Sequence, residues 1–300
     1  MRAGPWVLAL ILILICAAVL GGVWNLRTAP IAADELVQYL PAGESLIVSV
    51  DLAVMRQAGL LDLLAGSAAE QEADYREFVE RTGFDYRTDL DRALIAVRGE
   101  SVFGLMVGRF DWNVISGYAE DQQAMCRSSF CRMVGSRPGH TVSFFPLRKD
   151  VLALASSTDE WAAFQLQKKP SITRPRIGPE PIVILVPKRL LTEGTAPEML
   201  RPWIAGLGGA EQARLSLDAP GGRFELRLRV RCASEASAAT LEAHVREQFG
   251  ALRDAVMKNP NPDQLSLMLA GGEFGREGPE MTGKWAMSRS FIEGLLRAEK

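Results

Sequence analysis

Histidine is scarce in this sequence: His140 and His244 are the only two among 300 residues. Two imidazoles so far apart leave little material for a histidine-based catalytic or metal site, and surface placement is the simpler reading of both. No serine occupies a Gly-x-Ser-x-Gly elbow, which excludes the exposed nucleophile of an α/β-hydrolase. Gly206-Leu207-Gly208-Gly209 and Gly271-Gly272-Glu273-Phe274-Gly275 fit neither a dinucleotide nor a P-loop spacing, so both are read as turns. An excess of positive charge is missing too. Lys and Arg total 34 against 36 Asp and Glu, and Arg2 and Arg27 are the only charges in the first 33 residues, leaving 32 against 36 beyond them. A nucleic-acid partner is therefore not expected, because binding one rests on a concentrated basic surface.

What is present begins with a long apolar run. Trp6 to Trp24 reads WVLALILILICAAVLGGVW without a charge. As a helix it would be roughly 28 Å long, close to a bilayer core of about 30 Å. A Trp at each end suits the membrane interface. This predicts a transmembrane anchor at the N-terminus. A cleaved signal peptide is the competing reading, with small residues at Ile31-Ala32-Ala33, but a cleavable apolar region is usually shorter. A lipoprotein reading of Cys16 is weaker, since bulky Ile15 precedes it. One Arg on each side leaves the positive-inside bias nearly balanced.

Four cysteines remain to be placed. Cys126 and Cys131 stand in MCRSSFCRM, a spacing that can close a small disulfide loop but lacks the second ligand pair of a structural zinc site. Paired, they would imply an oxidising compartment outside the cytoplasm; unpaired buried thiols are the alternative. Cys16 in the apolar run and Cys232 on the apolar side of a strand read as small hydrophobes.

With 48% hydrophobic and 23% charged residues, the rest is ordinary globular material. Its pattern falls into two halves. LIVSVD (46–51) and PIVILV (181–186) are short apolar strands, followed by helical stretches at 54–65 and 188–207. Hairpins follow at 93–109 and 213–231, then helices at 112–123 and 235–257. Late strands are expected at 142–145 with 151–155, and at 265–270 with 282–287. Terminal helices at 159–166 and 291–298 follow hydroxyls placed to cap them. The order predicts an α+β fold: an N-terminal transmembrane helix, then two similar halves of ferredoxin-like element order. The boundaries are 1–33 for the anchor and start of the tether, 34–167 and 182–300 for the halves, and 168–181 for a Pro-rich linker. A single continuous sheet is the alternative.

The opening LPAGESLIVSVDLAVMR and the later FVERTGFDYRTDLDRALIAVRGE resemble an uncharacterised class of bacterial membrane-anchored proteins with exported domains. The likeness rests on Leu40, Pro41, Ala42, Val50, Asp51, Phe78, Gly83, Phe84, Asp85, Asp89 and Leu90. It covers roughly residues 40 to 110 and implies export and anchoring, but no activity.

Two groups of polar residues carry candidate chemistry. Asp85, Asp89 and Asp91 in GFDYRTDLDRA are the densest carboxylates, yet they lack the central glycine and distal glutamate of an EF-hand loop. They are read as solvating the turn between a helix ended by Gly83 and the following strand. In RFELRLRVRC, apolar residues alternate with Arg227, Arg229 and Arg231, which should stand in a row on the outward face of a half-buried strand. That row is a candidate interaction face for an acidic partner or anionic headgroups, because Arg pairs well with carboxylate and phosphate.

The expected protein is a single-pass membrane protein with its C-terminal domain outside the cytoplasm, in the periplasm, acting as a non-enzymatic binding module. Its expected partners are membrane lipid, through the anchor, and a protein not specified by the sequence; no cofactor and no metal is expected. The alternatives are a secreted form after signal cleavage, and a membrane-tethered hydrolase using the acidic cluster with His140.

Overall fold

The apolar runs Leu46–Asp51 and Ile182–Pro187 form strands β1 and β8, and these two pair antiparallel. The computed structural model describes residues 31–41, 44–61, 73–168, 176–192, 207, 209–219 and 223–292. Beyond β1 run β2 (Leu90–Arg98), β3 (Ser101–Gly108), β7 (Val151–Ser157), β6 (Thr141–Arg148), β5 (Phe130–Val134) and β4 (Met125–Arg127). On the other side of β8 follow β9 (Ala210–Asp218), β10 (Phe224–Cys232), β12 (Glu280–Met287) and β11 (Glu273–Glu277). Among the described residues this is one mixed α+β unit built on a 12-stranded sheet in which every neighbouring pair is antiparallel.

The registers run in step on both sides of the seam. Val48 faces Ile184, Ile47 faces Leu185 and Ser49 faces Val183, so the β1–β8 pair has a local two-fold axis. Outward from it, β2 and β9 each span nine residues. Each also carries one extra residue at the same place: Asp91 is passed over between the pairs Leu90–Gly108 and Arg92–Val107, and Glu211 between Cys232–Ala210 and Arg231–Gln212. Such bulges bend a strand and raise its twist. Strand β3 corresponds in position to β10, β7 to β12 and β6 to β11. The β4–β5 hairpin has no counterpart among the described strands of the second half.

The longer helices that follow β1, β3 and β10 pack on one face of the sheet. Helix α1 (Ala33–Leu36) precedes β1; α2 (Leu52–Gln57), α3 (Ala73–Thr82) and α4 (Tyr86–Asp89) lie between β1 and β2; α5 (Trp112–Asp121) follows β3. In the second half, α6 (Lys188–Thr192) follows β8, and α7 (Glu235–Lys258) and α8 (Gln264–Ala270) follow β10. Local chemistry fixes their starts. Asp51 caps α2 through Val54 N at 2.9 Å, and Ser234 caps α7 through Ser237 N at 3.1 Å. Ala238, Leu241 and Val245 form the apolar stripe of α7 and join Val230, Cys232, Ala213 and Met281 in one core cluster. Gly83 stops α3 with φ of +69°, a conformation that costs glycine little.

Several expectations need correction. The sheet order is not ferredoxin-like, because the helices between β1 and β2 return the chain to an antiparallel neighbour instead of crossing over to a parallel one. The two halves share one sheet. Residues 265–270 are helical, not a strand: Asp263 caps Ser266 N at 2.8 Å, and Leu, Ser, Met and Ala in this run include no β-branched residue. Strands β4, β5 and β11 were not expected at all. The end of the Pro-rich stretch is no free spacer, since Ile177 is 1% exposed, its N–H donates to Asp34 Oδ1 at 2.6 Å and its carbonyl accepts from Arg214 at 2.6 Å. Trp6 to Trp24 lies outside the described residues; none of the described helices is long and apolar enough to cross a membrane.

A fragment of residues 34–168 lacks β8 and leaves β1 as an apolar edge, a surface that recruits other strands. It should elute as dimers or larger species in size-exclusion chromatography. A monomeric fragment with the melting temperature of the whole chain would show that the β1–β8 pairing is dispensable.

Candidate functional site

Strand alternation puts Leu46, Val48 and Val50 on the helical face, and Ile47, Ser49 and Asp51 on the other. On that second face the halves part company. In the first half, Leu94 and Ala96 of β2, Phe103 and Leu105 of β3, and Ala153 and Ala155 of β7 are buried at 1% exposure or less. Part of their cover is the 3-10 turn Ala162–Leu166, which packs on β6 and β7 and whose Ala163 N–H donates to Ser143 Oγ at 3.3 Å. The corresponding positions of the second half are Arg214 and Ser216 of β9, Arg227 and Arg229 of β10, and Thr282 and Lys284 of β12. The same strand geometry carries an apolar, covered face in one half and a charged face in the other.

A cleft of about 440 Å³ opens on this charged face, with Arg176, Arg214, Arg229 and Arg231 opposed by Glu180 and Glu280. The arginines differ in what holds them. Arg214 is fixed by Glu180 at 2.8 Å and by the carbonyls of Arg176 and Ile177 at 3.1 and 2.6 Å. Arg227 is bound by Glu225 at 2.5 Å and Asp218 at 3.0 Å, and the Glu225 hydrogen bond raises its pKa further. Arg231 meets Glu280 only at 3.4 Å, with its side chain 59% exposed. Arg229 is exposed and has no hydrogen bond or ion pair among the described residues, although it stands directly across from Arg214 on β9. A guanidinium beside a like charge, with no counter-ion of its own, is suited to take an anion.

The sequence pattern had marked Arg227, Arg229 and Arg231 as one row; the structure ties Arg227 down and leaves Arg229 available. Arg214 was overlooked, though Gln212, Arg214, Ser216 and Asp218 alternate with apolar residues in the same way. Glu280 gave no signal, because its pairing with Arg231 depends on the register between β10 and β12.

The acidic cluster does not converge. Asp85 accepts from Arg87 N at 2.9 Å and Tyr75 Oη at 2.9 Å; Asp89 accepts from Asp85 N at 2.9 Å and pairs with Arg109 at 2.9 Å; Asp91 pairs with Arg56 at 2.9 Å. Each carboxylate is thus committed to a turn or an ion pair, and no group of metal-holding side chains occurs among the described residues. The Arg87 side-chain hydrogen bond holds the Asp85 pKa down at about 2, while burial and the bond to Asp85 push Tyr75 up to about 12. His140 is buried at 9% exposure, not on the surface as expected, with Nδ1 3.3 Å from the Pro138 carbonyl; none of the three acids contacts it. His244 is exposed on α7. The sulfurs of Cys126 and Cys131 are bonded across the β4–β5 pair, and Cys232 is a buried thiol on the helical face.

No protein-family description and no curated protein matches the sequence. Among solved structures, the chain is similar to crystal form I of TP0453, with 10% identity over 89% of this chain and 99% of that one, at a TM-score of 0.49. Crystal form IV gives 11% identity over 92% and 99%, at a TM-score of 0.46.

Because the folded-state pKa of Asp85 is depressed, its stabilisation is complete above the unfolded value near 4 and is lost as pH falls towards 2. Asp85→Ala should cost about 1–2 kcal/mol at pH 7 through the lost cap and the Tyr75 bond, a figure already discounted for the exposed Arg87 partner. In denaturant titrations the difference from wild type should shrink below pH 4. A constant difference down to pH 2 would show that the carboxylate charge is not what stabilises the turn.

Proposed function

We propose that this is a membrane-anchored, extracytoplasmic binding module whose arginine-lined cleft takes an acidic segment of a protein partner. The observation that carries the reading is Arg229, an exposed cation without a counter-ion among the described residues, on the open face of the sheet. Around it, Arg214 is pre-oriented by its hydrogen bonds and Arg231 is only loosely held, so a carboxylate would find donors already in place. A concave cleft suits a peptide side chain better than a flat bilayer surface. The apolar Trp6 to Trp24 run supports the anchor, and the bonded Cys126–Cys131 pair supports an oxidising compartment. The matching bulges at Asp91 and Glu211 further support descent of both halves from one duplicated unit, of which the second half kept its second face open.

The test uses the full chain in detergent and a fluorescent hexaglutamate peptide, titrated by anisotropy at low and high salt. Binding should be saturable, weaken with salt, and fall by about tenfold or more for Arg229→Glu. Equal binding by wild type and variant would refute the site. Preference for phosphatidylglycerol vesicles over the peptide would reassign the ligand to lipid headgroups. Resistance of the chain to alkaline carbonate extraction checks the anchor, and release into the soluble fraction would exclude it.

A further inference from the structure

The β4–β5 hairpin is an addition to the first half that the second half lacks among its described strands. Its tip is Ser128-Ser129, with φ of 48° and 66°. Left-handed backbone at two consecutive non-glycine residues is unfavourable, and it persists only where the surroundings hold it. Here the Cys126–Cys131 disulfide closes the hairpin immediately behind the tip.

The held tip forms one wall of a cleft of about 460 Å³, within the usual range of small-molecule sites. Its floor is aromatic. Phe130 of β5 stacks on Phe164 of the 3-10 turn with centroids 4.2 Å apart, and Trp161 stacks on Phe130 at 5.2 Å. The Arg132 guanidinium lies over the Trp161 ring at 4.6 Å. Despite this mutual packing, Trp161 remains 46% exposed and Phe164 38% exposed, the two largest side chains left so open among the described residues. The rim is polar but mostly uncharged. The Ser128 and Ser129 hydroxyls and the Gln167 amide line the cleft with the Lys168 ammonium, and none of these four side chains has a partner among the described residues.

Flat apolar faces ringed by neutral donors and acceptors that are unpaired among the described residues match a ligand that is itself two-sided, with C–H faces and a girdle of hydroxyls. We infer that the cleft beneath the Ser128–Ser129 tip binds a carbohydrate, a short glycan segment stacked on Phe164 and hydrogen-bonded by the two serines and Gln167. Trp161 and Phe130 fix the plane of the stacking ring, and Lys168 stands where an acidic substituent on the sugar would be met. The disulfide holds the two hydroxyls in place before the ligand arrives, which lowers the ordering cost of binding. This site lies in the half of the chain opposite the arginine cleft and is independent of it.

Saturation-transfer NMR and calorimetry on the full chain, in a detergent without sugar headgroups, test this with chitotetraose, cellotetraose and maltotetraose as probes. At least one should bind saturably. Phe164→Leu, which keeps the site apolar, and Ser129→Gly, which relieves the backbone while removing a hydroxyl, should each weaken it by about tenfold with the melting temperature preserved. The proposal fails if none of the three oligosaccharides binds saturably, or if both folded variants bind as wild type does. It also fails if a decaproline peptide occupies the cleft and no glycan does.

Discussion

Four residue pairs between β1 and β8 join the two halves, with Val48 opposite Ile184 at the centre. Neither strand can lie at an edge. Val183 is fully buried, Leu185 and Ile47 are 3% and 4% exposed, and an unpaired ladder in such surroundings would leave backbone groups unsatisfied away from water. The pairing therefore joins a five-stranded and a seven-stranded antiparallel half into one sheet. It also fixes which face of each half points to which side. The helices α2, α5 and α7 are then all required on the same face, where Leu46 and Val50 belong to the clusters covered by α7 and α2 and where α5 covers a third.

With that face occupied throughout, specialisation is confined to the other. The first half uses Leu94, Phe103 and Leu105 there, and such residues must be covered, as the Ala162–Leu166 turn partly does. The second half places Arg214, Arg227 and Arg229 at the corresponding positions, and these can stay open because charged groups lose solvation when covered. Most of their charge is consumed internally by Glu180, Glu225 and Asp218, which steadies the face and leaves Arg229 distinct. The added β4–β5 hairpin brings the other unusual surface, with its exposed stacked rings, to the opposite end of the sheet.

Local physics made much of this legible in advance. Period-two alternation placed β2, β3, β9 and β10 to within a few residues, and the helical pattern placed the start of α7 at Glu235. The acids near Asp85 were readable as turn residues because their backbone-capping bonds reach at most a few positions along the chain, the longer ones going to Tyr75 and to arginines. Short strands such as β4 and β11 carried no such pattern. Met125–Arg127 has three residues and Glu273–Glu277 is nearly all polar, so each is a strand only because a neighbour offers a ladder.

The sequence by itself determined the class of fold, the apolar N-terminal run, the Cys126–Cys131 spacing and the outward row of arginines, since each of these depends on residue type and short-range periodicity. Tertiary structure alone decided that the halves share a sheet, that His140 is buried, and that Arg227 is ion-paired while Arg229 has no ion pair among the described residues. The reason is that β-pairing and ion pairing join residues far apart in the chain. Ile184 meets Val48, and Glu280 reaches Arg231, across strands whose register no local window contains.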